Sequence, residues 1–282
     1  MPRVARRSDG MRRIDPTPGA FTLFAGPCVL EDDELNVAVA RAVHAAASRA
    51  GLPAVFKASF DKANRSRLDS PRGPGLEAGL ARLRTVRAET GLPVLTDIHE
   101  PGQAELAAEV ADVLQIPAFL CRQTELLVAA GRTGRAVNVK KGQWMAPEAM
   151  AGAVEKVRAG GARQVMVTER GTAFGYRDLV VDMRSFARIQ EAAGVPVIFD
   201  ATHSVQQPGD GAGGSTGGSP EHIASLVKAA VAAGCDGLFL EVHPDPAVAP
   251  SDGSNMLPVE QLPRLLDDVA AIRSALGAGP GS

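Results

Sequence analysis

Lys57, Ser59, Lys62, Asn64, Arg65 and Ser66 fall within ten consecutive residues (KASFDKANRS). Ammonium and guanidinium groups there alternate with hydroxyls and an amide. That mixture suits a phosphate or carboxylate together with the hydroxyls of a sugar. Alone, the run reads as readily as a solvated basic loop. Further cations stand at Lys140 and Lys141 (NVKKGQ, 138–143) and at Arg170 (TERG, 168–171). Two like charges in contact repel by roughly 4 kcal/mol at an effective dielectric of 20. A cluster built from all of these therefore expects a ligand with several negative charges.

A second set carries metal and proton chemistry. Asp200 and His203 share DATH, Glu241 and His243 share EVHPD, and Asp252 lies in SDG. With Cys28, the residues His203, Glu241 and Asp252 could hold a divalent ion. Thiolate, imidazole and carboxylate suit Zn, Fe or Mn better than Mg. The four are too far apart in sequence to give a regular spacing, and a lone Cys28 reads as well as inert packing. His203 or Asp252 could also manage a proton. His99 (TDIHE) follows an apolar run and stands near any site built there. His44 and His222 lie on helical patterns and read as surface residues, and Cys121 and Cys235 as structural.

Eight short apolar runs deliver these residues. They are 22–25, 54–56, 93–95, 113–114, 136–139, 165–167, 197–199 and 237–240, ending at or just before Cys28, Lys57, Asp97, Gln115, Lys140, Arg170, Asp200 and Glu241. The seven intervals from Cys28 to Glu241 average about 30 residues, the length of a βα unit. Eight such units predict a single-domain (β/α)8 TIM barrel, an α/β fold whose chemistry sits at the C-terminal strand ends. Helical periodicity is expected over 33–50, 76–89, 147–159, 222–233 and 259–276. Gly51, Gly91, Gly160 and Gly234 serve as helix stops with positive φ. Gly51-Leu-Pro, Gly91-Leu-Pro and Gly194-Val-Pro repeat one loop design. Lys140 and Lys141 must diverge across their strand, so one of them enters the mouth.

The 282 residues and 45% apolar content are enough for one sizeable core. A net charge of −2 points to neither nucleic acid nor membrane, and one Tyr, one Trp and nine Phe make base-stacking platforms improbable. No apolar run is long enough to span a bilayer. Three scattered cysteines suggest a reducing, cytoplasmic compartment. Residues 1–13 hold five arginines without an apolar stretch after them, and read as a disordered basic tail or an early start ahead of Met11. The barrel domain is expected over 14–276 and a frayed end over 277–282. Within the domain, residues 207–220 (QPGDGAGGSTGGSP) form a mobile Gly-rich loop, read as a lid on the catalytic face rather than a passive linker.

Taken in order, AGPCVLE (25–31), FKASFDKANRS (56–66), TDIHE (96–100), LQIPAFLCRQT (114–124), NVKKGQ (138–143), TERGTAFGYRDLVVDMR (168–184), FDATHSVQ (199–206), LFLEVHPDP (238–246) and SDG (251–253) resemble the 3-deoxy-D-manno-octulosonate 8-phosphate (KDO8P) synthases. The resemblance implies a transferase of lipopolysaccharide biosynthesis that condenses phosphoenolpyruvate with arabinose 5-phosphate. It implies that Lys57, Ser59, Lys62, Gln115, Lys140 and Arg170 hold phosphoenolpyruvate, and that Asn64, Arg65, Ser66 and Asp97 hold the sugar phosphate. Lys140, Asp200, His203 and Asp252 would be catalytic. Phe119 and Arg122 would reach a neighbouring subunit's site in a homo-oligomer, a tetramer or a dimer. Cys28 resembles the metal-dependent class, with His203, Glu241 and Asp252 completing the site. The sister family, 3-deoxy-arabino-heptulosonate 7-phosphate (DAHP) synthase, uses erythrose 4-phosphate and reads Lys-Pro-Arg-Thr where this chain has Lys62-Ala-Asn-Arg-Ser66. A non-catalytic barrel that senses an anionic sugar is the reading of another class. One departure is that the family's basic residue after the Gly-Gly of the loop is replaced here by Ser219-Pro220-Glu221.

Overall fold

Side chains alternate along a strand, so every second residue of each apolar run converges on one centre. The computed structural model describes residues 21–65, 68–176, 178–209 and 216–277. Its first six strands are β1 (Thr22–Gly26), β2 (Ala54–Lys57), β3 (Val94–Asp97), β4 (Val113–Ile116), β5 (Ala136–Lys140) and β6 (Val165–Glu169). A hairpin, β7 (Thr172–Tyr176) with β8 (Asp178–Val180), precedes β9 (Val197–Asp200). A two-residue ladder of β10 (Gln206–Gln207) with β11 (Gly217–Gly218) precedes β12 (Gly237–His243), and β13 (Leu257–Pro258) follows. β1 to β6, β9 and β12 pair in parallel in that order. β12 returns to β1 from Thr22↔Gly237 to Gly26↔Glu241, closing a (β/α)8 barrel of one domain.

Eight helices surround it: α1 (Asp33–Arg49), α2 (Leu76–Thr90), α3 (Gln103–Ala108), α4 (Thr124–Arg132), α5 (Met150–Ala159), α6 (Ser185–Ala193), α7 (Ile223–Ala232) and α8 (Leu262–Ala275). Asp32 starts α1 by accepting from the Leu35 amide at 2.8 Å, and Asp33 and Glu34 favour the positive end of the helix dipole. The inner stripe of α1 (Val39, Val43, Ala46, Ala47) is buried in the layer between strands and helices.

The barrel interior is a separate core, to which each barrel strand gives one side chain: Phe24, Val55, Leu95, Val113, Ala136, Met166, Ile198 and Phe239. Two positions further along the same strands stand Gly26, Lys57, Asp97, Gln115, Asn138, Thr168, Asp200 and Glu241. The strands thus change from an apolar plug to a polar floor in one step of the pleat. Gly26 must lack a side chain, since a Cβ there would lie 2.1 Å from the Lys57 carbonyl oxygen.

Several expectations are corrected. The strands run past their apolar stretches, because polar residues facing the interior keep the backbone ladder; β12 extends to His243 and β4 to Ile116. Gly160 keeps a helical φ of −69° as the residue that caps α5, and Gly161 takes the positive φ of 110° instead. Residues 147–149 and 259–261 are 3-10 turns leading into α5 and α8. Helices α3, α4 and α6 fill the remaining βα units, for which periodicity gives no bounds; α3 has only six residues, too few to show a period. The basic tail 1–13, nearly all of 277–282, and residues 210–215 of the Gly-rich loop lie outside the described residues. No helix among those described is long and apolar enough to cross a membrane.

Candidate active site

Lys57, Lys62, Arg65, Lys140 and Arg170 all line one cavity of about 650 Å³ at the C-terminal mouth of the barrel. Gln115, Asp97, His99, Asn64, Asp200, His203 and Asp252 share its wall, and Phe119 stands on it as well.

At the floor, Lys140 donates to Asp200 and lies 3.1 Å from the centroid of the Phe239 ring. The ring belongs to the apolar plug, so its face helps to compensate a largely buried charge. Burial lowers the Lys140 ammonium to about 8 although Asp200 opposes the shift. Burial would raise the Asp200 carboxyl, but His203 and Lys140 outweigh it and keep Asp200 well below the carboxylate range. Asp200 also accepts from the backbone N–H of His203 at 2.9 Å and meets its Nδ1 at 2.7 Å. A carboxylate only accepts, so Nδ1 carries a proton; in the neutral imidazole that leaves the lone pair on Nε2.

A chain of amides sets the next wall. Thr168 Oγ1 donates to Asn138 Oδ1 at 2.7 Å, and Asn138 Nδ2 donates to Gln115 Oε1 at 3.0 Å. The donor end of Gln115 is thereby turned away from Asn138. Ser59 Oγ donates to Asp97 Oδ1 at 2.5 Å, and His99 Nε2 lies 3.3 Å from Asp97 Oδ2. Burial opposes ionisation of Asp97, but His99 and Lys62 overcome it and lower its pKa well below the ordinary value.

The metal-type residues meet on the opposite side. Ligand atoms of Cys28, Glu241 and Asp252 all lie within 4.8 Å of one another. His203 Nε2 is 3.5 Å from Glu241 Oε1 and 3.9 Å from Asp252 Oδ2. Cys28 Sγ donates to Asp252 Oδ2 at 3.0 Å and contacts Ser251 Oγ at 3.1 Å. Burial, then Asp252 and Glu241, pushes the Cys28 thiol up, the effect a bound cation would reverse. Lys57 donates to Glu241 Oε1 and to the Cys28 carbonyl, while Glu241 Oε2 is buried with no partner. A soft thiol, an imidazole lone pair, two carboxylates and an unsatisfied buried oxygen fit a divalent cation. Asp252 is the one non-glycine among the described residues with positive φ, at 54°. Behind the site, His243 Nε2 donates to Glu31 at 3.0 Å while its Nδ1 accepts from the Asp245 amide at 3.0 Å. This ties the loop after Cys28 to the strand of Glu241.

The structure brings together most of the residues expected from the sequence. Ser59 does not line the cavity; it stands behind Asp97. Arg122 is exposed and lines no part of the cavity, and Ser66 lies outside the described residues. Asn138, Thr168 and Gln206 were not singled out from the sequence. Asn138 and Thr168 are two residues before Lys140 and Arg170, and strand alternation alone could have found them.

The sequence profile of the DAHP synthetase I family matches residues 17–276. The chain is 57% identical over 267 residues to the 2-dehydro-3-deoxyphosphooctonate aldolase of Nitratidesulfovibrio vulgaris (strain DP4), covering 92% of this chain and 97% of that protein. The protein of the same name from Syntrophotalea carbinolica is 57% identical, covering 94% and 96%. That from Cyanothece sp. is 53% identical, covering 91% and 93%.

Proposed function

We propose, for a chain that belongs to the DAHP synthetase I family, that it is a KDO8P synthase, the activity that its relatives' name 2-dehydro-3-deoxyphosphooctonate aldolase also denotes. The enzyme joins phosphoenolpyruvate and D-arabinose 5-phosphate, with water, into 3-deoxy-D-manno-octulosonate 8-phosphate and inorganic phosphate, a step of lipopolysaccharide biosynthesis. The observation that carries this reading is the set of cations, Lys57, Lys62, Arg65, Lys140 and Arg170, facing one cavity in a protein of nearly zero net charge.

In the reaction, C3 of phosphoenolpyruvate forms a bond to the aldehyde carbon of the sugar. The electron pair of that carbonyl moves to its oxygen, which takes up a proton. Water adds at C2 and releases one proton; the C2–O bond to phosphate then breaks, phosphate leaving with the bonding pair, as the new hydroxyl gives up its second proton and becomes the C2 carbonyl. Lys57, Lys140 and Arg170, with Lys62 and Gln115, hold phosphoenolpyruvate; Asn64, Arg65, Ser66 and Asp97 hold the sugar phosphate, and Ser59 orients Asp97 from behind. Their work is chiefly orientation of two anions that otherwise repel. His203, oriented by Asp200, and Asp252 are placed for the proton transfers.

Cys28, His203, Glu241 and Asp252 would hold a divalent metal of the Mn, Fe or Zn kind, as in the metal-dependent class; the unsatisfied Glu241 Oε2 supports this reading. When bound, such an ion acidifies water and polarises carbonyls. The enzyme works in the cytoplasm, where its three buried free cysteines stay reduced. It works as a homo-oligomer, a tetramer by resemblance, with Phe119 and Arg122 at a neighbour's site. Supporting this, Phe119 and Trp144 stack at 6.0 Å near the mouth while each stays about half exposed.

The test is phosphate release from phosphoenolpyruvate by enzyme stripped with chelator and re-supplied with Mn, Fe, Zn or Mg. Release should require arabinose 5-phosphate and a transition metal. Preference for erythrose 4-phosphate would move the chain to the sister activity, and full activity after stripping would remove the metal. Binding of both ligands without turnover would favour the sensor reading.

A further inference from the structure

Gln206 closes the motif FDATHSVQ, yet neither the anion-binding set nor the metal set includes it. Its side chain lies between the two. Arg170 Nη2 donates to Gln206 Oε1 at 2.5 Å, and Gln206 Nε2 donates to Asp252 Oδ1 at 3.3 Å. A guanidinium can only donate and a carboxylate can only accept, so these partners fix the orientation of the amide. No other side chain of this length satisfies both partners: glutamate would face Asp252 with a like charge, and lysine would face Arg170 with one.

Each end of the bridge leaves a group prepared for a ligand. With Nη2 engaged, Arg170 presents Nη1, which is buried and has no partner in the protein. With Oδ1 engaged, Asp252 turns Oδ2 toward Cys28 Sγ at 3.0 Å. The backbone of Gln206 is fixed independently. It pairs with Gly218, where a Cβ would fall 1.6 Å from Asn255 Oδ1, so the ladder rests directly on the turn that follows Asp252.

We propose that Gln206 is a positioning residue that sets Arg170 for the anion and Asp252 for the metal at the same time, so that one amide supports two binding sites. The metal half rests on the metal-dependent reading above; the anion half does not.

The experiment compares the wild type with Gln206→Met, which keeps the length and removes both hydrogen bonds. Gln207→Met serves as the control. Phosphoenolpyruvate affinity is measured by calorimetry on chelator-stripped protein, and Zn or Mn affinity by chelator competition without substrate. Loss of a hydrogen bond to a charged group is worth about tenfold or more in affinity. Both affinities should therefore weaken about tenfold in Gln206→Met and stay at the wild-type value in Gln207→Met. Unchanged affinities, or a loss confined to one ligand, would overturn the bridging role. If the wild type itself binds no metal, the metal-dependent reading fails, and the phosphoenolpyruvate measurement still decides whether Gln206 positions Arg170. Gln206→Leu serves as the second variant should Gln206→Met not fold.

Discussion

Lys140 and Lys141 are consecutive in the chain and end on opposite sides of β5. Lys140 reaches Asp200 in the cavity. Lys141 is fully buried elsewhere, its Nζ donating to the carbonyls of Gly142 and Met145 at 3.3 Å and of Gly171 at 3.4 Å, and to Thr172 Oγ1 at 3.2 Å. One lysine faces the cavity; the other ties the loop after β5 to the hairpin of β7 and β8.

The two lysines should therefore fail differently. Lys140→Met should lower kcat/KM by about 10²–10³-fold, on the scale of losing one preorganised charge contact, with little change in melting temperature. Lys141→Met strands several buried carbonyls, each worth about 1–3 kcal/mol, so it should melt several degrees lower while the surviving folded fraction keeps most of its kcat. Thermal melts beside steady-state kinetics separate the two, and matching losses in both variants would contradict the division.

The lowered Lys140 ammonium sets an alkaline limit. Below about 8 it carries its proton in the folded and the unfolded chain alike, and the folded protein bears the full cost of burying it. That cost disappears between about 8 and the ordinary 10.5, and the attraction for an anion disappears with it. The value of kcat/KM for phosphoenolpyruvate should fall as pH rises through about 8 in the free enzyme, and Lys140→Arg should shift that limb upward. A wild-type profile flat across this range would exclude Lys140 as the titrating group.

Metal should stabilise the fold. An ion at a hundred times its Kd adds about 2.7 kcal/mol, so Zn or Mn should raise the melting temperature of stripped protein by about 5 °C. In Cys28→Ser most of that rise should vanish. An equal rise in both proteins would place the ion elsewhere.

Gly218→Ala probes the foot of the Gly-rich loop. The added methyl must displace Asn255 or separate β10 from β11. We expect faster proteolytic cleavage within 207–220, a raised KM, and a melting temperature within about 2 °C of wild type because the barrel strands are untouched. Wild-type cleavage kinetics would show that the ladder accommodates the methyl.

The barrel was legible because its signal is repeated: eight apolar runs, each ending in a residue that could do chemistry. Lys57, Asp97, Gln115, Asp200 and Glu241 could be placed at the mouth from strand alternation alone. The pairings could not. That Lys57 is held by Glu241 depends on barrel closure, which brings β1 beside β12, and that Lys140 reaches Asp200 depends on β5 and β9 turning the same face to the centre. Gln206 was missed because an amide has no charge and no reactivity to attract notice, and its role exists only between two partners 36 and 46 residues away in sequence. Helix α3 was missed because its six residues make less than two turns.

The plug of Phe24, Val55, Leu95, Val113, Ala136, Met166, Ile198 and Phe239 gives the reaction chamber a sealed apolar base. Nothing drains through its base. Water is one of the reactants, and it must use the same entrance as the two organic substrates. Whatever enters or leaves on that side, water included, passes between the cations and the metal-type residues that line the mouth.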